Sequence, residues 1–300
     1  MEGKILTDKS LKIAIASGKG GTGKTLISTS MFYAIQEKYE NSVLLDCDAE
    51  EPNSLLFFDA SLKESLKVVQ KVPVIDTDKC VYCGKCHDYC EYNAIFIIPP
   101  SRIIKVIEEL CHGCGACSVA CEYDAIIEKD TEVGRVNLFV TDNGMNLVEA
   151  RMKSGVMSPV PVIKAAHKST SDKDIVIMDS PPGTSCPFIQ TVVEADYVIL
   201  VTEPTPFGLS DLKQSVNTLK TMHKQYGVVI NRAGLGDTKV YDYLKSENIE
   251  LLAEIPFDKE IAILYSTGKI VAAHDDNLKA LFMKIFESIY NSYGNSGNQR

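Results

Sequence analysis

The chain has 300 residues, 45% of them apolar and 24% charged, enough to bury a substantial core in one α/β domain that carries an insertion. Its formal net charge of −9 argues against binding nucleic acid through a broad basic surface. The opening MEGKILTDKS lacks the apolar core of a secretory signal, and runs such as YVILV fall far short of a membrane span. A cytoplasmic protein without a membrane partner is expected.

In chain order, LKIAIAS (11–17) predicts a buried strand that runs into GKGGTGKT (18–25), and LISTSMFYAIQEKY continues with apolar residues at helical spacing. Gly18 to Thr25 fits G-x-x-x-x-G-K-[ST] between a strand and a helix, the context in which backbone N–H groups cradle phosphates. Gly18, Gly20, Gly21, Thr22 and Gly23 are expected to shape that cradle, with Leu26 next along the helix. Lys24 is expected to reach the β- and γ-phosphates, and Thr25 to ligate Mg²⁺. The next strand, SVLLDCD (42–48), opens the stretch DCDAEEPN, with Asp46 and Asp48 two residues apart at the strand end.

Past the cysteine-rich middle of the chain, DIVIMD (174–179), DYVILVTE (196–203) and YGVVINR (226–232) predict further apolar strands, with a helix over 209–225 between the last two. Strands that are nearly all apolar and alternate with helices read as a mostly parallel sheet covered on both faces. Residues 133–160 are expected to rejoin it. Asp179 closes one strand before SPPG. Alone it could cap a helix; beside a phosphate loop it is expected to hold Mg²⁺ through water, with Gly183 sensing the γ-phosphate. With Asp46 and Asp179 near the metal, Asp48 is left to orient the attacking water. In 277–290, Leu278, Leu281, Phe282, Ile285 and Ile289 have helical spacing but only two lysines accompany them, which favours a helix packed on the core over a membrane anchor. The tail 291–300 reads as disordered.

The middle of the chain holds eight of its ten cysteines. CVYCGKCHDYC (80–90) and CHGCGACSVAC (111–121) repeat one C-x₂-C-x₂-C-x₃-C pattern, each followed at the same distance by Ala-Ile (Ala94-Ile95 and Ala125-Ile126). In a reducing compartment such clustering points to metal, and this rhythm is that of bacterial ferredoxins with two [4Fe–4S] clusters. The fourth cysteine of each run is too distant to close its own cube. The expected sets are therefore Cys80, Cys83, Cys86 and Cys121 for one cluster, and Cys111, Cys114, Cys117 and Cys90 for the other. Two Cys₄ zinc sites are the rival reading. Glu91 and Glu122 stand where ferredoxins usually place proline and are expected to face water. His87 and His112 are expected at the surface, and Cys47 and Cys186 as packed thiols. The insertion is bounded as 76–132, between ATPase parts 1–75 and 133–290.

Lys19, inside GKGGTGKT, is the extra lysine of a deviant Walker A loop. With DCD, DSPPG, VINR and EIPF in order along the chain, the sequence resembles the MinD/Mrp group of dimeric ATPases, which also resembles the ParA partition ATPases and the nitrogenase iron protein, over roughly residues 11–60 and 139–285. The resemblance implies a P-loop NTPase fold of the SIMIBI class and a homodimer that sandwiches ATP, with Lys19 reaching the partner's phosphates. It also implies base recognition by Asn231, with Arg232 beside it, and packing of Pro256 against adenine. Together with the cysteine runs, it implies an ATPase with an inserted ferredoxin domain that gates electron transfer to an unidentified redox or iron–sulfur acceptor. The alternatives are an iron–sulfur cluster carrier or assembly protein and a redox-sensing positioning or partition protein.

Overall fold

The computed structural model describes residues 10–296, with side chains through residue 293. The readings of residues 1–9 as free of a leader and of 297–300 as disordered lie outside the described residues; residues 291–296 are helical.

The first half of the nucleotide domain comprises β1 (Leu11–Ala16), α1 (Lys24–Ile35), β2 (Ser42–Asp46) and β3 (Ala60–Ile75). A small cysteine-bearing body follows, with α2 (Lys85–Asp88), β4 (Ile95–Ile98), β5 (Ile103–Val106) and α3 (Ala116–Ala120). The chain then returns through β6 (Ile126–Thr141), β7 (Asn146–Met152), α4 (Val160–Lys168), β8 (Ile175–Asp179), α5 (Cys186–Val193) and β9 (Tyr197–Thr202). It closes with α6 (Pro206–Thr221), β10 (Gln225–Ala233), α7 (Lys239–Ser246), β11 (Leu251–Pro256), α8 (Lys259–Ser266) and α9 (Asp276–Ser296).

Among the described residues nine strands form one sheet in the order β11-β10-β9-β1-β8-β2-β7-β6-β3. Pairing is parallel from β11 to β7, while β6 and β3 join antiparallel at one edge, so the sheet is mixed. Alternation within the strands feeds two cores. Ile13, Ile15 and Leu44 join α1 and α9 on one face; Ala14, Ala16, Val43 and Leu45 join α4, α5 and α6 on the other. A strand covered on both faces has no use for polar positions, which is why β1, β2 and β8 read as continuous apolar runs.

The long hairpin of β3 and β6 was not legible beforehand. Its inner part lies in the sheet, since β6 pairs with β7 from Gly134 to Val140. Beyond that point residues 69–75 and 126–132 pair, among the described residues, only with each other, a two-stranded ribbon that leads to the cysteine body. The register of the hairpin skips Val133 where the ribbon leaves the sheet. The body has its own two-stranded sheet of β4 and β5, and a small core around Cys86, Ile95 and Cys117.

α9 buries Leu278, Phe282, Ile285, Phe286 and Ile289 against the α1 side of the sheet, and Phe286 meets Tyr39 edge-on at 5.0 Å between ring centroids. Among the described residues no helix is long and apolar enough to cross a membrane.

One buried side chain in α4 predicts how stability depends on pH. His167 is 5% exposed, and among the described residues neither ring nitrogen has a hydrogen-bond partner. Burial pushes its pKa down to about 4; Glu194 opposes the shift and Lys12 adds to it. Between that value and the ordinary one near 6.5, the unfolded chain binds the proton and the folded chain does not, so stability falls as pH drops through this window. The loss expected at pH 5 is about 2 kcal/mol relative to neutral pH. Urea denaturation of the wild type and His167→Leu at the two pH values checks this, the leucine variant being expected to lack that part of the slope.

Candidate functional site

β1 delivers the chain to the phosphate loop at the carboxyl ends of the parallel strands, where open α/β sheets bind ligands. Ser17 Oγ donates to the Lys19 carbonyl at 2.6 Å, tightening the turn. Gly21 and Gly23 take φ of +77° and +99°, and a Cβ on Gly20 or Gly21 would meet nothing within 4 Å, so the cradle is open on the side a phosphate would enter. At Gly23 a Cβ would instead strike Asn231 Nδ2, which donates to the Thr22 carbonyl at 2.8 Å. Gly23→Ala therefore forces a left-handed residue, at about 1–2 kcal/mol, and breaks that bond, at about 1 kcal/mol more. Titration calorimetry with MgATP is expected to show affinity weakened by at least about tenfold.

Three carboxylates and one lysine face this loop. Asp46 and Asp179 end β2 and β8 directly opposite each other in the parallel register. They are 3% and 2% exposed, and burial, together with each other's charge, raises the pKa of Asp46; burial also raises that of Asp179. Asp46 accepts from the backbone N–H groups of Asp48, Asn53 and Ser54 at 3.0, 2.9 and 2.9 Å. Ser54 Oγ donates to Asp179 Oδ2 at 3.2 Å, whereas Asp179 Oδ1 is buried without a partner. Asp48 is pushed up to about 6, first by burial and then by Asp179, with Lys24 opposing. Lys24, 8% exposed, is lowered by burial despite the three carboxylates around it. An orphaned buried carboxylate oxygen among acidic neighbours is an arrangement that a divalent cation relieves, so the residues present fit Mg²⁺.

Lys19 Nζ lies 3.4 Å from Glu203 Oε2 of its own chain, and Arg232, at φ +54°, reaches the other oxygen of Glu203 at 2.5 Å. Asn231 is tied to the loop. Pro256 ends β11 beside Ala233. Gly183, at φ +91°, donates its N–H to the Ser17 carbonyl at 3.1 Å, joining the SPPG turn to the loop. Leu26 lies in the core. Sequence reasoning missed Asn53, whose Oδ1 accepts from Thr25 Oγ1 at 3.1 Å, as well as Ser54 and Glu203. Asn53, at the N-cap of the short 3₁₀ turn Ser54–Phe57, is a helix-start residue type that could have drawn attention to it.

The cysteines assemble into the expected quartets. Cys80, Cys83, Cys86 and Cys121 line one cavity; Cys90, Cys111, Cys114 and Cys117 line another. Glu91 and Glu122 are exposed, His87 is exposed, and His112 is half-buried, stacked on Tyr92 at 3.6 Å. Cys47 is fully buried, but Cys186, in the first turn of α5, is exposed and not packed as expected.

A phosphate loop after β1, paired strand-end aspartates and a sheet of this order define a P-loop nucleotide-binding ATPase. Residues 13–271 match the family model for the CobQ/CobB/MinD/ParA nucleotide binding domain. The chain belongs to that family and is an ATP hydrolase. It is 33% identical over 284 residues to an uncharacterized protein of Methanocaldococcus jannaschii, covering 93% of this chain and 96% of the relative. It is 23% identical over 303 residues to an iron–sulfur cluster carrier protein of Pyrococcus horikoshii, covering 93% and 85%. In fold it is similar to the MinD cell division protein of Aquifex aeolicus, with a TM-score of 0.55, 17% identity and 94% and 97% coverage.

These findings correct the ferredoxin reading. The family model describes the matched span as a nucleotide-binding domain, and among the described residues no group of three or more His, Cys, Asp or Glu side chains is arranged to hold a metal ion. Each quartet faces a shared cavity without converging on one point as a ligand set. The sulfurs of Cys80, Cys90 and Cys111 accept backbone N–H groups at 3.3–3.4 Å, and burial raises the pKa of Cys86. The recognition of an inserted two-cluster ferredoxin domain, its place in the fold class, and the two [4Fe–4S] clusters on Cys80, Cys83, Cys86, Cys121 and Cys90, Cys111, Cys114, Cys117 are withdrawn. The electron-transfer description goes with them.

Proposed function

We propose that this ATPase is an ATP-dependent carrier that takes up an iron–sulfur cluster as cargo and passes it to an acceptor protein. The observation that carries the reading is similarity over nearly the whole chain, phosphate loop included, to proteins named as iron–sulfur cluster carriers. The eight cysteines beyond the ribbon add thiols, the donor class that iron–sulfur cargo prefers.

In this reading Lys24 holds the β- and γ-phosphates from within the chain. Lys19 leaves Glu203 to reach the nucleotide of a second copy, so that hydrolysis belongs to a homodimer. Thr25 and Asp179, with Asp46 behind them, manage Mg²⁺, which draws charge from the phosphoryl oxygens when bound. Asp48 aligns the attacking water, Gly183 faces the γ-phosphate, and Asn231 and Pro256 meet the base with Arg232 alongside.

Anaerobic transfer tests the proposal. The purified protein is loaded with iron and sulfide, mixed with an apo-ferredoxin acceptor, and the iron on each partner is measured with MgATP, MgADP or no nucleotide. Transfer that depends on MgATP is expected. Iron that passes at the same rate without nucleotide, or never leaves the chain, overturns the carrier reading while leaving the ATPase untouched.

A further inference from the structure

The loop between β2 and β3 touches both the nucleotide site and the base of the cysteine-bearing arm. Thr25 has one hydroxyl proton to donate, and here Asn53 Oδ1 accepts it at 3.1 Å. A second acceptor lies nearby. Asp179 is close enough to the hydroxyls of Thr25 and Ser28 for both to lower its pKa, but Ser28 Oγ donates to the Thr25 carbonyl at 3.2 Å, and Asp179 Oδ1 is buried with no hydrogen-bond partner among the described residues. Leaving such an oxygen unpaired costs about 1–3 kcal/mol, so the site holds two claimants for one proton. With a divalent cation bound, Thr25 would hold it through the hydroxyl lone pairs, its proton would be the stronger donor for that, and the charged Asp179 would be a better acceptor than the neutral Asn53 amide.

Asn53 also stands at the root of the arm. The backbone N–H groups of Asn53 and Ser54 both rest on Asp46 Oδ2, and Ser54 Oγ rests on Asp179 Oδ2. The 3₁₀ turn Ser54–Phe57 follows at once, with Phe57 against Tyr265 at 5.0 Å between ring centroids. Phe58 then meets Phe32 of α1 edge-on at 5.9 Å, and β3 starts at Ala60. No flexible spacer separates the phosphate site from the arm. At about 3.3 Å per residue β3 reaches on the order of 50 Å, and its outer half is the ribbon without sheet neighbours. The skipped Val133 marks the point of departure, where a bulge bends the strand. Gly134, beside it, has room for no Cβ because the Arg151 carbonyl and Val162 press on it, which fixes the inner side of the joint.

We propose that Asn53 is the positioning residue through which Mg·nucleotide on Thr25 is transmitted to the ribbon and cysteine body, with the bulge at Val133 as the hinge. The inference rests on the ATP-dependent carrier reading for the place where nucleotide binds, and it adds how occupancy of that site reaches the cavities.

Hydrogen exchange read by mass spectrometry tests it on the full chain, with the non-hydrolysed analogue AMP-PNP at concentrations that saturate each protein. In the wild type, Mg·AMP-PNP is expected to change exchange in 54–62 and in the ribbon, 69–75 and 126–132, by at least about threefold. Excess EDTA is expected to abolish the change. In Asn53→Ala the backbone bonds to Asp46 remain available, and ribbon exchange is expected to be the same with and without the analogue. A saturated wild type whose ribbon does not respond overturns the inference, as does an Asn53→Ala protein with the wild-type response or a response that persists in EDTA. Failure of the wild type to bind the analogue at all overturns the nucleotide reading, and this inference with it, and a direct binding titration identifies that outcome.

Discussion

Lys24→Ala is expected to lower ATP hydrolysis by about three orders of magnitude, close to 4 kcal/mol in the barrier. The lysine sits 8% exposed at the first position of α1, drawn down in pKa by burial and held charged by Asp179, Asp48 and Asp46. Such a cation is preorganised: its desolvation has been met by the fold before any phosphate arrives, so little reorganisation remains when charge develops on the transferring group. Removal should cost turnover far more than it costs fold. Steady-state hydrolysis with a parallel thermal melt separates the two. Near-normal turnover in a folded Lys24→Ala protein would remove this lysine from the chemistry.

Phe282→Ala carries the largest expected cost in stability, about 3–5 kcal/mol, out of a total that for such domains is about 5–15 kcal/mol. The ring is fully buried in the core that joins α9 to α1, with Phe286 and Ile285 as neighbours on the same face. A cavity there lies beneath the helix that starts at the phosphate loop. Urea denaturation should therefore show a much lower midpoint, and the loss should be partly recovered in Phe282→Leu. A helix whose apolar face served a lipid surface would show neither effect.

The nucleotide site was legible because its signals are local. GKGGTGKT carries turn, cradle and helix start within eight residues, and Asp46 and Asp179 each announce a strand end. What a linear reading could not supply is register: that those two aspartates lie side by side follows from the pairing of β2 with β8. β3 was missed for a different reason. Leu62, Leu66 and Val69 recur at the spacing of a helix face, and the strand leaves all three partly or largely exposed, so no buried alternation marks it as β. Tertiary pairing with β6 decided that segment against its local pattern. The cysteine runs misled in the opposite sense. Their spacing anticipated which four thiols share a cavity, but spacing along the chain does not fix where sulfurs point, and the side chains do not converge as ligands. Cys186 shows the same limit: its neighbours in the sequence suggested packing, and its place in the first turn of α5 exposes it.

The position of β3 at the sheet's edge also sets a timetable for the nascent chain. Among the described residues β3 pairs with β6 and with no other strand, and β6 is anchored in turn by β7. Until residues 126–141 are made, the segment that becomes β3 has no partner, and Leu62, Leu66, Val69 and Val74 stay partly exposed even in the folded chain. At about 5–20 residues per second, its partner emerges several seconds later. Lys63, Lys67 and Lys71 space charges along the waiting strand, where they discourage pairing with another copy on the same polysome. Replacing those lysines would be felt during synthesis, in yield, before it was felt in the finished molecule.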